Sequence, residues 1–129
     1  MLQVPPSERY EQVLRRMRTA KVITDQQWWW LRANYLAPGS ALTTMDLARV
    51  AKYETHHGVN RWYGQLGFDL ARKLGLEIPD GAPFASAFAT FSADDPDRPE
   101  TVWTLRPEVV AALDRLAWFP RPPDAHNAA

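Results

Sequence analysis

The sequence predicts an α+β fold of winged-helix type, in which four helices precede a β-hairpin and a C-terminal helix. Apolar residues recur at helical spacing through residues 8–75. Two of these patterns, within residues 42–75, are separated by a short polar break, as in a helix-turn-helix. From residue 84 onward apolar and small residues alternate at the spacing of a strand. A helix-turn-helix followed by a two-stranded hairpin is the pattern of a winged helix.

Length and composition indicate a single domain. The chain has 129 residues, 46% hydrophobic and 23% charged, so we expect one domain over residues 1–119 and a disordered tail over 120–129. It contains no cysteine, which excludes disulfides and thiolate metal sites and fits a reducing cytoplasm. No apolar run is long enough to cross a bilayer, so we expect a cytoplasmic protein without membrane association.

The charge is unevenly distributed although the net charge is zero. Residues 1–75 hold 11 Lys and Arg against 6 Asp and Glu, whereas residues 76–129 hold 4 against 9. Such an asymmetry indicates affinity of the basic half for nucleic acid or for an acidic partner. Two solvated faces that differ in charge would give the same numbers.

The first predicted helix runs from about Glu8 to Lys21, with Ser7 as its N-cap. Its last turns carry four basic residues: Arg15, Arg16, Arg18 and Lys21. Positive charge at the C-terminal end of a helix interacts favourably with the helix macrodipole. We expect this role for the four residues rather than contact with phosphate.

Capping boxes mark the starts of the second and third helices. Thr24 with Gln27 begins a helix predicted over residues 25–36, and Thr43 with Asp46 begins the next one. In each box the N-cap hydroxyl accepts a bond from the backbone three residues later, and the later side chain bonds back. We expect the third helix to end at Tyr53. Three of its apolar residues should face the core: Leu47, Val50 and Ala51.

The second helix contains three successive tryptophans, Trp28, Trp29 and Trp30. Successive residues are about 100° apart on a helix, so the three cannot all face one core. The predicted inner stripe consists of Trp28, Leu31 and Tyr35. At least one of Trp29 and Trp30 should therefore cover a second structural element, a protein partner or a base.

The fourth helix follows the polar break at residues 54–58 and is predicted to end before Gly75. One side forms a buried apolar stripe: Val59, Tyr63, Leu66, Leu70 and Leu74. The opposite side carries mostly polar, basic and small residues: Arg61, Gly64, Gln65, Phe68 and Arg72, with Asn60 at its edge. Phe68 is predicted to be an exposed aromatic residue among them. Gly64 would let a ligand approach the backbone closely.

The hairpin is predicted from two strands, at about 84–92 and 101–105, joined by an acidic loop over residues 94–100. Pro107 suits the first position of the last helix, which we expect to run to about Leu116.

The fourth helix predicts binding to double-stranded DNA. Arginine pairs bidentately with guanine, and asparagine or glutamine with adenine, in the major groove. The predicted DNA-binding residues are on or next to the two helices of the helix-turn-helix: Asn60, Arg61, Gln65, Phe68, Arg72, Arg49, Lys52 and His57, with Lys73 as a further phosphate ligand. One small domain gives limited affinity, so a homodimer is expected.

Two other functions stay open. A protein-interaction module, such as a phage inhibitor, an immunity protein or an adaptor, would use Phe68, Trp29, Trp30 or the acidic loop 94–100. A small metal enzyme would use the following residues: His56, His57, Asp94, Asp95, Asp97 and Glu100. Solvated turns explain these residues better, and the sequence contains no phosphate loop, nucleophile elbow or zinc-ligand spacing. We therefore expect no catalysis, metal or cofactor.

Three stretches resemble a small domain associated with bacterial HNH endonucleases and restriction-like proteins: YLAPGSALTTMDLARVAKY (35–53), NRWYGQLG (60–67) and WTLRPEV (103–109) with Ala112, Leu113 and Leu116. The resemblance covers about two-thirds of the chain. It implies a setting in DNA transactions or phage defence. An HNH nuclease part is not expected, because the tail contains a single histidine, His126.

Overall fold

A computed structural model describes residues 2–51, 57–92, 96 and 98–121, with His57 described by its backbone alone. Within these residues the chain forms five helices and three short strands. The helices are α1 (Ser7–Thr19), α2 (Asp25–Leu36), α3 (Thr44–Val50), α4 (His57–Leu74) and α5 (Pro107–Leu116). The strands are β1 (Ala41–Thr43), β2 (Ala89–Phe91) and β3 (Val102–Leu105). Two 3₁₀ turns, Pro38–Ser40 and Phe84–Ala87, precede β1 and β2.

The described strands form an antiparallel sheet in the order β1-β3-β2. Leu42 of β1 and Phe91 of β2 both lie opposite Trp103 of β3. The sequence predicted β2 and β3 as a hairpin but not β1. Three residues between a turn and a helix cap are too short to show strand periodicity, so β1 is defined by its pairing with β3 alone.

The first predicted strand, at 84–92, was wrong over its first half. Residues 84–87 form a 3₁₀ turn, which we call the Phe84 turn, and the strand proper is limited to Ala89–Phe91. In the turn, the amide of Ser86 donates to the carbonyl of Pro83 at 3.0 Å. Residues 85–88 are all buried, because the segment lies against α4 and the sheet. The alternation of phenylalanine with small residues in this segment therefore reflects packing of the 3₁₀ turn and not a β-strand.

The first helix begins at Ser7 and not after it. Pro6 occupies the N-cap position and makes no side-chain cap bond, so the predicted cap was wrong. The Ser7 hydroxyl instead accepts a bond from Arg115 of α5 at 2.7 Å. The helix ends at Thr19, before the predicted Lys21, which adopts a positive φ of 60°.

Both predicted capping boxes are confirmed. The Thr24 hydroxyl accepts from the Gln27 amide at 3.1 Å, and the Gln27 side chain accepts from the Thr24 amide at 3.0 Å. Thr43 and Asp46 make the same pair of bonds, at 3.0 and 3.2 Å. On α3, Leu47 is buried as predicted, but Val50 is 41% exposed and was wrongly assigned to the core. Tyr53, the predicted end of this helix, lies outside the described residues.

The three tryptophans of α2 have three different environments. Trp30 is fully buried and donates from its indole to the carbonyl of Leu47 in α3 at 2.8 Å. Trp28 is half-buried, with its ring centroid 4.6 Å from that of Phe119. Trp29 is 53% exposed. The helix therefore packs on two sides, and Trp30 rather than Trp28 enters the central core.

Helices α1 and α5 pack against each other. α1 also contacts α4, and the hydroxyl of Tyr10 donates to the carbonyl of Ala87 in the Phe84 turn at 2.5 Å. Arg121 follows α5 and belongs to the segment that was predicted to be a disordered tail. Its guanidinium lies 4.4 Å from the ring centroid of Tyr35. The rest of that tail, 122–129, is outside the described residues. In the described part of the chain, no helix has the length and apolar character needed to cross a membrane.

Candidate nucleic-acid interface on helix α4

The buried side of α4 is the predicted one. Val59, Tyr63, Leu66 and Leu70 are each at most 1% exposed, and Leu74 is half-buried. The helix ends at the predicted glycine, since Gly75 adopts a φ of 70°, which favours a residue without a Cβ. The amide of Leu76 then donates to the carbonyl of Ala71 at 2.9 Å. The rotation of α4 about its axis is thus fixed by its apolar stripe.

Polar contacts fix the position of α4 relative to α2. The Gln27 amide group donates to the carbonyl of Trp62 at 2.9 Å, so the side chain that caps α2 also holds the first turns of α4. The Tyr63 hydroxyl donates to Oδ1 of Asn34 in α2 at 3.1 Å. Burial raises the pKa of Tyr63 well above its ordinary value, so this phenol stays a donor.

One flank of α4 is covered by the Phe84 turn. A Cβ added at Gly67 would lie 2.3 Å from the carbonyl oxygen of Phe84, so this glycine is required for the contact. A Cβ added at Gly64, one turn earlier, would meet nothing within 4 Å. A groove of about 340 Å³ lies beside Gly64, between α4 and the turn. Its lining includes both polar and apolar side chains: Asn60, Arg61, Gln65, Phe84, Ala85 and Trp103.

The exposed arc of α4 retains three of the predicted DNA-binding residues. Arg61, Gln65 and Arg72 are all exposed. The guanidinium of Arg61 lies 4.7 Å from the Trp62 ring centroid, and Gln65 donates to Asp69 at 3.2 Å. Arg72 lies 5.8 Å from the ring of Phe68. These contacts are local to the helix, so the side chains can be redirected at little cost.

Asn60 and Phe68 lie at the covered edge of this arc. Asn60 is half-buried and lines the groove. Phe68 was predicted to be exposed but is half-buried, because it packs edge-to-face on Phe84 at a centroid distance of 5.0 Å. Phe84 is itself 51% exposed. The aromatic surface predicted at Phe68 is therefore shared with a residue from the Phe84 turn.

The structure describes two of the four predicted phosphate ligands in full. Arg49 is exposed on α3 and forms an ion pair with Asp46 at 3.1 Å, within its own helix. Lys73 is exposed near the end of α4. Lys52 and the side chain of His57 lie outside the described residues.

Trp62 is an exposed residue of α4 that the prediction missed. Its side chain is 44% exposed. On the helical wheel Trp62 lies at the edge of the buried stripe, about 60° from Val59 and about 40° from Leu66, so periodicity alone does not mark it as exposed. Trp30, in contrast, was considered as a contact for a partner and is buried, so it cannot serve one directly.

The residues considered for metal chemistry are not brought together in the described part of the chain. No three histidine, aspartate or glutamate side chains among the described residues come together as metal ligands. Glu100 is exposed and lies 3.8 Å from Arg98. The other residues considered for metal chemistry lie outside the described part of the chain: His56, the side chain of His57, Asp94, Asp95 and Asp97.

The chain matches no model of a known protein family, no curated protein and no solved structure.

Proposed function

We propose that this chain is a winged-helix DNA-binding protein whose helix α4 enters the major groove. The order α2, β1, α3, α4, β2, β3 supports the proposal, because a helix pair is followed by a hairpin and a strand from before the pair joins that hairpin. In such an arrangement the second helix of the pair is the one that reads bases. Here that helix is α4.

The observation that carries the proposal is the exposed arc of α4. Arg61, Gln65 and Arg72 are suited to base edges or phosphates, and three of the four charged side chains described on α4 are cationic. Arg61 and Arg72 are 11 residues apart, which is about 16 Å along a helix axis. That span corresponds to roughly five base pairs.

The wing is expected to contribute little to DNA affinity. The loop between β2 and β3 contains four acidic residues, and three of them, Asp94, Asp95 and Asp97, lie outside the described residues. A basic helix with an acidic wing makes few phosphate contacts, so tight binding would need a second copy of the chain. We propose a homodimer on DNA, in a setting of DNA transactions or phage defence.

A double substitution tests the role of α4. Arg61→Ala with Arg72→Ala removes two cations from the exposed arc and should lower the affinity for a random-sequence duplex roughly tenfold. If both contact phosphates, the slope of log affinity against log salt should become shallower by about 2. Fluorescence anisotropy at about 50 and about 200 mM salt measures both quantities.

The matched control removes two exposed arginines from elsewhere, Arg16→Ala with Arg32→Ala, and should leave binding within about twofold of the parent. Equal losses in the two double variants would mean that overall charge, and not α4, governs binding. Absence of any salt-dependent binding by the parent chain would remove the proposal.

A further inference from the structure

We propose that the groove beside Gly64 binds a short segment of a protein partner that carries a bulky apolar side chain next to a carboxylate. The inference concerns a different ligand from DNA and does not depend on it. The groove has a volume of about 340 Å³, near the lower end of the range for ligand clefts. One large side chain and part of its neighbour fill such a space.

Two glycines in the middle of α4, Gly64 and Gly67, indicate that the groove is not required by packing. Glycine in the interior of a helix is less stable than alanine, so it calls for a physical reason. Gly67 has one, because its Cβ would collide with the backbone of Phe84. Gly64 has no such neighbour, although it lies in the middle of α4 and is itself buried. Its missing side chain keeps the groove open.

The walls favour an apolar occupant. Ala85 and Trp103 are at most 1% exposed and form the inner side, while Phe84 is 51% exposed and stands at the edge of the groove. The exposed part of Phe84 offers an aromatic surface that an inserted side chain would cover. Burial of apolar surface of this kind supplies most of the affinity at protein interfaces.

Charge defines the second half of the ligand. Among the described residues that line the groove, Arg61 is the charged one, and Gln65 is next to it on the exposed arc. A guanidinium pairs bidentately with a carboxylate. An aspartate or glutamate beside the apolar residue would therefore be recognised. A nucleic-acid backbone fits less well, because a groove with apolar walls and one cation offers few phosphate contacts.

Selection from a phage-displayed library of random peptides tests the proposal on the whole chain. Gly64→Met fills the groove, and Gln12→Met places the same side chain at an exposed position of α1 as the control. We expect selected peptides to combine a bulky apolar residue with a nearby Asp or Glu. Their affinity should fall at least about tenfold for Gly64→Met and stay unchanged for Gln12→Met.

The role of Arg61 is tested with the same peptides. Arg61→Ala should weaken binding of the acidic peptide. When the carboxylate of the peptide is exchanged for an amide, the parent and Arg61→Ala should bind the peptide with nearly equal affinity. Thermal unfolding checks that Gly64→Met is folded, and Gly64→Leu replaces it if it is not.

Three outcomes would overturn the proposal. The first is that no peptide is enriched, and the second is that selected peptides bind Gly64→Met as tightly as the parent. The third is that Gly64→Met weakens the binding of a 20-base-pair duplex by the factor expected for the peptides. That result would assign the groove to nucleic acid. Arg72→Ala separates the two ligands, because Arg72 does not line the groove and its loss should affect DNA alone.

Discussion

Asn34 of α2 forms hydrogen bonds with three other parts of the fold. Its amide nitrogen donates to the carbonyls of Ser40 and Trp103 at 2.9 and 3.0 Å, and its oxygen accepts from Tyr63. The residue is fully buried. It therefore joins α2 to the turn before β1, to β3 and to α4, and each partner would lose a hydrogen bond without it.

Asn34→Ala should be strongly destabilising. It leaves two buried carbonyls and a hydroxyl without this partner and opens a cavity, so we expect a loss of about 2–4 kcal/mol in the free energy of unfolding. Urea denaturation measures it, with Gln12→Ala on the exposed face of α1 as the control. A loss below about 0.5 kcal/mol would mean that the network does not hold these elements together.

At the scale of the element, α4 combines two neighbouring glycines with opposite roles. Gly67 permits the close approach of the Phe84 turn, whereas Gly64 borders open space. We therefore expect the same substitution at the two positions to change stability in opposite directions.

Gly67→Ala should destabilise the protein by about 1–3 kcal/mol, because the new methyl group meets backbone that cannot rotate away. Gly64→Ala should stabilise it by about 0.5–1 kcal/mol through helix propensity. Thermal unfolding of the two variants beside the parent measures both effects. Losses of similar size at the two positions would contradict the difference in packing.

At the scale of the whole molecule, contacts between α1 and α5 join the first and last helices of the described chain. Arg115 of α5 donates to Glu11 of α1 at 2.6 Å, and this bond is the main cause that lowers the pKa of the Glu11 carboxyl. Tyr10 extends the connection inward to Ala87. Burial raises the pKa of the Tyr10 phenol to about 12.

The raised pKa of Tyr10 predicts weaker folding in alkali. Below about pH 10 the phenol is protonated in both folded and unfolded chains, so its full contribution is present. As the pH rises from there through the folded pKa of about 12, the unfolded chain loses the proton first and stability falls. Tyr35 and Tyr63, whose pKa values are also raised, should act in the same direction.

Tyr10→Phe should reduce this pH dependence. The variant should be about 1 kcal/mol less stable at pH 8, where the bond to Ala87 is lost, and its stability should decline less steeply toward pH 11.5. Urea midpoints of parent and variant across this range give both values. Parallel declines would show that Tyr10 does not titrate with folding.

The sequence by itself determined the local structure. The capping boxes of Thr24 and Thr43 join residues three apart, and the buried stripe of α4 depends on periodicity within one helix. Such signals are complete within a few residues, so they predicted the start of α2, the inner face of α4 and the exposure of Arg61, Gln65 and Arg72.

The tertiary structure alone decided which side of α4 is covered. The bond from Asn34 to Trp103 joins residues 69 apart, and strand β1 exists because β3 lies beside it. The half-burial of Phe68 and the groove at Gly64 both follow from the position of the Phe84 turn. No periodicity encodes these contacts, because they depend on where distant segments meet. The candidate site is therefore a predicted helix face whose available surface is set by packing.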